Sequence, residues 1–211
     1  MLPDLIEVVP PSVRKESKVV LPGSKSLTNR ALILAALAAR PVTLRGALWS
    51  EDTQAMVECL KRLGFPVEVA DDPAEPANRT LEVEGAGGRI PNAGTPEQPL
   101  KLFVENAGTA ARFLPPMLCL GHGSYHVSGI ERMHQRPQAA LVGALRQLGY
   151  RIDTPNDRLP AVIHGTGPRP GAACSVSVEE SSQFASALLL SAGVGGWQIA
   201  VTGANEDELP Y

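Results

Sequence analysis

Leu60-Lys61-Arg62-Leu63-Gly64-Phe65 returns 85 positions on as Leu145-Arg146-Gln147-Leu148-Gly149-Tyr150. Leucines three apart share a helix face, and a glycine free to take positive φ stops the helix, so each copy reads as a helix end. Two more landmarks flank it in the same order. Thr43-Leu44-Arg45-Gly46-Ala47 answers to His126-Val127-Ser128-Gly129-Ile130, and Leu81-Glu82-Val83-Glu84-Gly85 answers to Ala161-Val162-Ile163-His164-Gly165. Three landmarks in one order at nearly one offset mark an internal repeat.

Each copy predicts an α/β unit of the form β-α-β-α-β-β. Strands are expected at 19–21, 42–44, 67–69 and 80–84 in the first copy, and at 101–104, 125–127, 151–154 and 161–164 in the second. A helix follows each of the first two strands. A third copy starts with a strand at 175–178, continues in a helix from Ser182 and reaches a strand at 198–202. It stops at Tyr211, one helix and two strands short. The units therefore run over residues 19–90, 98–168 and 174–211, the last truncated, and the sequence reads as part of a longer protein. Pro115-Pro116 should kink the helix they fall in, because proline removes a helix hydrogen bond.

Composition excludes several classes of function. With 44% hydrophobic and 19% charged residues the chain can bury a core, so it is not disordered. A net charge of −3 and 4% aromatic residues argue against nucleic acid as partner. The longest apolar run near the N-terminus, Ala31 to Ala39, falls far short of the ~20 residues that span a bilayer, so no membrane partner is expected. No signal-peptide pattern opens the chain, and its three cysteines form no C-x-x-C pair; a reduced, cytoplasmic protein is the plain reading. His122 and His126 stand four apart without a third ligand, and no metal site is expected. Cys119 reads as a small core residue, and His134 and His164 as surface or loop residues.

The chemistry gathers where the three first-in-unit helices begin. Gly23-Ser24-Lys25-Ser26, Asn106-Ala107-Gly108-Thr109 and Ser181-Ser182-Gln183 are small, hydroxyl-rich clusters at helix N-termini. Open backbone N–H groups and the helix dipole attract anions there. Repeat symmetry points these ends the same way, at one anionic ligand. Ordinary N-capping explains any one cluster alone. The nearby cations favour function: Lys25, Arg30, Arg112, Arg132 and Arg136 sit where the dipole opposes them, so a bound phosphate or carboxylate supplies the reason. The G-x-x-x-x-G-K-[ST] phosphate loop is excluded, since no glycine precedes Gly23. Asp52 reads as a stabiliser of its helix N-terminus.

Leu21-Pro22-Gly23-Ser24-Lys25-Ser26 with Asn29-Arg30-Ala31-Leu32, then Asn106 to Arg112, then Arg132-Met133 with Arg136-Pro137, then Ser181-Ser182-Gln183-Phe184, resemble in order the signatures of the 5-enolpyruvylshikimate-3-phosphate synthase family. The resemblance implies two lobes, each of three β-α-β-α-β-β units with helices inside and sheets outside. It likens residues 19–211 to the N-terminal lobe, and residues 1–18 to the segment that packs with the other lobe. It also implies an enzyme, a 3-phosphoshikimate 1-carboxyvinyltransferase, that moves the enolpyruvyl group of phosphoenolpyruvate to the 5-hydroxyl of shikimate 3-phosphate without metal or cofactor. Lys25 would be catalytic and touch both substrates, with Ser26 and Arg30 on shikimate 3-phosphate. Gly108 and Arg136 would line the phosphoenolpyruvate side, beside Asn106 and Thr109. Ser181 and Ser182 would take the shikimate phosphate, Gln183 both ligands, and Tyr211 would offer its hydroxyl.

The chain departs from the family's pattern at Glu208, where serine is usual. The family's acid and base carboxylates belong to the C-terminal lobe, the expected partner, so negligible turnover is expected of this chain by itself. Two alternatives stand beside this reading. One is a transferase of the same fold acting on UDP-N-acetylglucosamine, whose reactive-loop cysteine is missing between Ser128 and Arg136. The other is a non-catalytic module that binds phospho-ligands.

Overall fold

Ser24 begins the first helix by accepting the Leu27 N–H at 3.4 Å, filling one of the donors a helix start leaves open. A computed structural model of the chain describes residues 7, 9, 10, 16 and 20–204. The first unit there consists of α1 (Lys25–Leu37), β1 (Val42–Leu48), α2 (Glu51–Arg62), β2 (Val67–Asp71) and β3 (Asn78–Val83). The second consists of β4 (Leu100–Phe103), α3 (Gly108–Cys119), β5 (His122–Ser128), a one-turn α4 (Glu131–His134), α5 (Ala139–Gln147), β6 (Arg151–Asp153) and β7 (Ala161–Thr166). After these come β8 (Ala173–Ser177), α6 (Gln183–Gly195) and β9 (Gln198–Thr202).

Sheet topology carries the repeat from sequence into space. The first sheet runs β1-β3-β2 and the second β4-β5-β7-β6, so β1, β3 and β2 match β5, β7 and β6 in order and antiparallel sense. Parallel pairs β4-β5 and β8-β9 match each other. The strand expected at 19–21 has no counterpart in the described part of that stretch: Val20 and Leu21 form no ladder, and residue 19 lies outside the described residues.

The two L-x-x-L-G signatures close their helices in the same way. Phe65 N bonds Leu60 O at 3.0 Å and Gly64 N bonds Lys61 O at 3.0 Å, with Gly64 at φ +89°. Tyr150 N bonds Leu145 O at 3.1 Å and Gly149 N bonds Arg146 O at 2.9 Å, with Gly149 at φ +88°. This double closure caps the last carbonyls and brings the aromatic residue onto the leucine in the helix, and all four of those side chains are buried.

Helices α1, α3 and α6 pack on one another, and the sheets lie against the helical layer with one face buried and one outward. Helix α3 is buried along its whole length and, with Pro115-Pro116 inside it, runs as one helix to Cys119. Pro115 cannot donate to the Ala111 carbonyl four residues back, and Gln138 Nε2 reaches that oxygen instead at 3.5 Å. His164 is likewise not a loop residue. It stands on β7, its Nδ1 2.9 Å from Ser124 Oγ and its Nε2 2.9 Å from Asp153. Burial pushes the Cys59 thiol up to about 12, and the Cys119 and Cys174 thiols up as well, so all three stay neutral core residues.

Candidate functional site

The turn before α1 packs closely on β1 and is tied to β3 by its backbone. Gly23 N donates to Asn78 Oδ1 at 2.8 Å, and a Cβ on Gly23 would stand 2.2 Å from the Gly46 carbonyl oxygen. Glycine is required there by close approach. The turn sets Lys25 and Ser26 at the mouth of α1. Helix α3 starts at Gly108 after Ala107, whose side chain offers no cap, so its first N–H groups face outward uncapped by their own turn. The Arg136 guanidinium lies over that end: a Cβ on Gly108 would be 2.5 Å from Arg136 Nη1. At α6, Gln183 N donates to Ser181 Oγ at 3.3 Å, and no side-chain bond from Ser182 caps the helix.

One polar contact joins each pair of these three helices. Asn29 Nδ2 on α1 donates to Thr109 Oγ1 on α3 at 2.6 Å. Arg30 Nη2 on α1 donates to Ser186 Oγ on α6 at 3.2 Å. Arg112 Nη1 on α3 donates to Gln183 Oε1 on α6 at 2.8 Å. Arg30 also bonds Ser26 Oγ and stacks 4.9 Å from the Phe113 ring centroid, while Arg112 lies 5.3 Å from that of Phe184. The ring of contacts holds the three N-termini together at one end.

A cleft of about 320 Å³ opens at that end. Lys25 and Ser26 line it from α1, Asn106, Gly108, Thr109 and Arg112 from α3 and its approach, and Gln183 from α6. Arg132 on α4 and Arg136 beyond it close another side, with α4 anchored by fully buried Met133. Asp52, in the first turn of α2, completes the wall and pairs with Lys25 at 3.4 Å. Four cations thus face one carboxylate, with uncapped helix N–H groups beside them. Such a site holds phosphate or carboxylate ligands by charge and by oriented donors.

Of the residues expected at the site, Lys25, Ser26, Asn106, Gly108, Thr109, Arg136 and Gln183 meet in this cleft. Arg30 is turned into the helix interface, one turn below Ser26, and does not line the cleft. Ser181 and Ser182 stand at the α6 start beside Gln183 without lining it. Tyr211 and Glu208 lie outside the described residues. Arg112 and Arg132, expected as cations near an anionic ligand but not among the contacts the resemblance implied, also line the cleft, and so does Asp52, expected only as a stabiliser of its helix start. The two arginines carried a signal, a cation at a helix start; Asp52 carried only the acidic first turn usual for helices.

Architecture and cleft together define an enolpyruvyl-transferase-like lobe. A structure of EPSP synthase from Acinetobacter baumannii superposes with a TM-score of 0.69 at 25% identity, over 83% of this chain and 37% of that one. The enolpyruvyl transferase NikO from Streptomyces tendae shares the fold, with a TM-score of 0.55 at 15% identity over 90% of this chain and 40% of that one. The chain belongs to the EPSP synthase (3-phosphoshikimate 1-carboxyvinyltransferase) family, whose family model matches residues 9–208. A 3-phosphoshikimate 1-carboxyvinyltransferase from Opitutus terrae is 45% identical over 194 residues, covering 90% of this chain and 43% of that protein. One from Vibrio cholerae is 41% identical over 186 residues, covering 87% and 41%. The chain therefore spans less than half the length of these curated relatives. Among the described residues no helix is long and apolar enough to cross a membrane.

Proposed function

We propose that the chain forms the shikimate 3-phosphate-binding half of a cytoplasmic transferase that moves the enolpyruvyl group of phosphoenolpyruvate to the 5-hydroxyl of shikimate 3-phosphate, releasing phosphate. The observation that carries the reading is the cleft itself: Lys25, Arg112, Arg132 and Arg136 converge at the starts of α1, α3 and α6 against a single carboxylate. Two strongly anionic substrates suit that balance, and the similarity to 3-phosphoshikimate 1-carboxyvinyltransferases favours this transferase over the nucleotide-sugar one.

In this reading Lys25 reaches both substrates and stabilises charge that develops in the transfer, the kind of fixed electrostatics that dominates catalysis. Ser26 holds shikimate 3-phosphate, with Arg30 behind it fixing the hydroxyl. Gly108, Asn106 and Thr109 face phosphoenolpyruvate beside Arg136, and Gly108 lets the guanidinium come close to the helix start. Ser181 and Ser182 take the shikimate phosphate, Gln183 spans both ligands, and Tyr211 adds a hydroxyl. Among the described residues the one carboxylate on the cleft, Asp52, is engaged by Lys25, so the proton-transfer groups are assigned to the second lobe, the proposed partner. Closing that lobe over the cleft would exclude water and orient the reactants.

Phosphate release from shikimate 3-phosphate and phosphoenolpyruvate tests this. The 211-residue chain alone is expected to give background release, and mixing with the separately produced C-terminal half of a relative is expected to restore turnover. Background rates in the mixture, with both parts folded and associated, would contradict the reading.

A further inference from the structure

Among the described residues lining the cleft, Asp52 is the single anion, and it is better fixed than the cation it meets. Its side chain is 22% exposed against 48% for Lys25, at a separation of 3.4 Å. The start of α2 is held from two sides. Fully buried Thr53 accepts from Ser50 N at 2.9 Å and donates to Leu48 O at 2.7 Å. The Asp52 carbonyl accepts from Asn29 Nδ2 at 3.5 Å. Asp52 thus stands in a fixed place at the N-terminal end of α2, as a counter-charge to the lysine. The Lys25 stem, by contrast, can swing about the mouth of α1.

We infer that Asp52 is an internal competitor for Lys25: it pairs with the ammonium group, and a ligand phosphate must draw the lysine away from it. This rests on the anion-binding reading of the cleft. It differs from simple repulsion of the ligand by Asp52. Repulsion adds independently to whatever Lys25 contributes, whereas competition couples the two residues, because the pair must break before Lys25 can bind.

The coupling is measurable with inorganic phosphate as probe. Wild-type chain, Asp52→Asn, Lys25→Met and the double variant are titrated calorimetrically at pH 8 and low ionic strength, each first checked for a wild-type thermal transition. Competition predicts that Lys25→Met weakens phosphate binding about two- to fivefold more in the Asp52→Asn background than with Asp52 present, the range expected for a half-exposed ion pair. Equal or smaller weakening in the Asp52→Asn background overturns the inference and leaves the anion site standing. Absence of phosphate binding in all four proteins overturns both.

Discussion

Gly23→Ala is expected to lower the stability of the chain by about 2–4 kcal/mol. The added methyl would sit 2.2 Å from Gly46 O and 2.8 Å from Leu48 N, and both are backbone atoms of β1. Neither can swivel aside like a side-chain end, so the turn must lift away from the strand. That movement also strains the 2.8 Å bond from Gly23 N to Asn78 Oδ1, which ties the turn to the first residue of β3. For a chain of this size the penalty corresponds to a fall in Tm of roughly 5–15 °C, read by circular dichroism. Phosphate affinity should fall with it, because the same turn sets Lys25 and Ser26 at the cleft. A Tm within a degree of wild type would show that the turn is not fastened as described.

Asn29→Ala should cost a similar amount, about 2–4 kcal/mol, through loss of a buried hydrogen bond and the space left behind. Asn29 is fully buried and joins α1 to α3 through Thr109 at 2.6 Å, with a longer contact to the Asp52 carbonyl. Removing it leaves Thr109 Oγ1 without that donor and frees two helix starts to shift against each other. A double-mutant cycle with Thr109→Val isolates the contact, with an expected coupling of about 0.5–3 kcal/mol. Additive losses in the cycle would mean that the two side chains touch without cooperating.

Both sites depend on contacts between distant parts of the chain, and this limits what the sequence discloses. The helix ends at Leu63-Gly64-Phe65 and Leu148-Gly149-Tyr150 were legible because the whole signal is local: a leucine stripe, a glycine and an aromatic residue within six positions. Gly85 and Gly165 were visible as repeat landmarks, but their reason is tertiary. A Cβ on Gly85 would stand 2.3 Å from Ala38 O, and one on Gly165 2.4 Å from Leu118 O, so each strand presses on the end of its unit's first helix. The gathering of three helix starts followed from the repeat. The ion pair of Lys25 with Asp52 did not, because α2 reaches the cleft through tertiary packing against α1 and α3. Continuity of α3 through two prolines was also illegible, since the compensating donor, Gln138, comes from the start of α5. The contacts Arg30 makes between helices were not legible either, since Ser186 and Phe113, which receive it, are remote in sequence.

The central claim is that the cationic cleft binds a phosphorylated substrate, and a calorimetric titration of the 211-residue chain with shikimate 3-phosphate tests it most directly. The account predicts saturable one-site binding that weakens as salt is added, because charge supplies much of the attraction. It further predicts a loss of about tenfold or more in Lys25→Met, as expected when one partner of a charge-assisted contact is removed. No saturable binding by folded chain, or binding that this substitution leaves unchanged, would contradict the account.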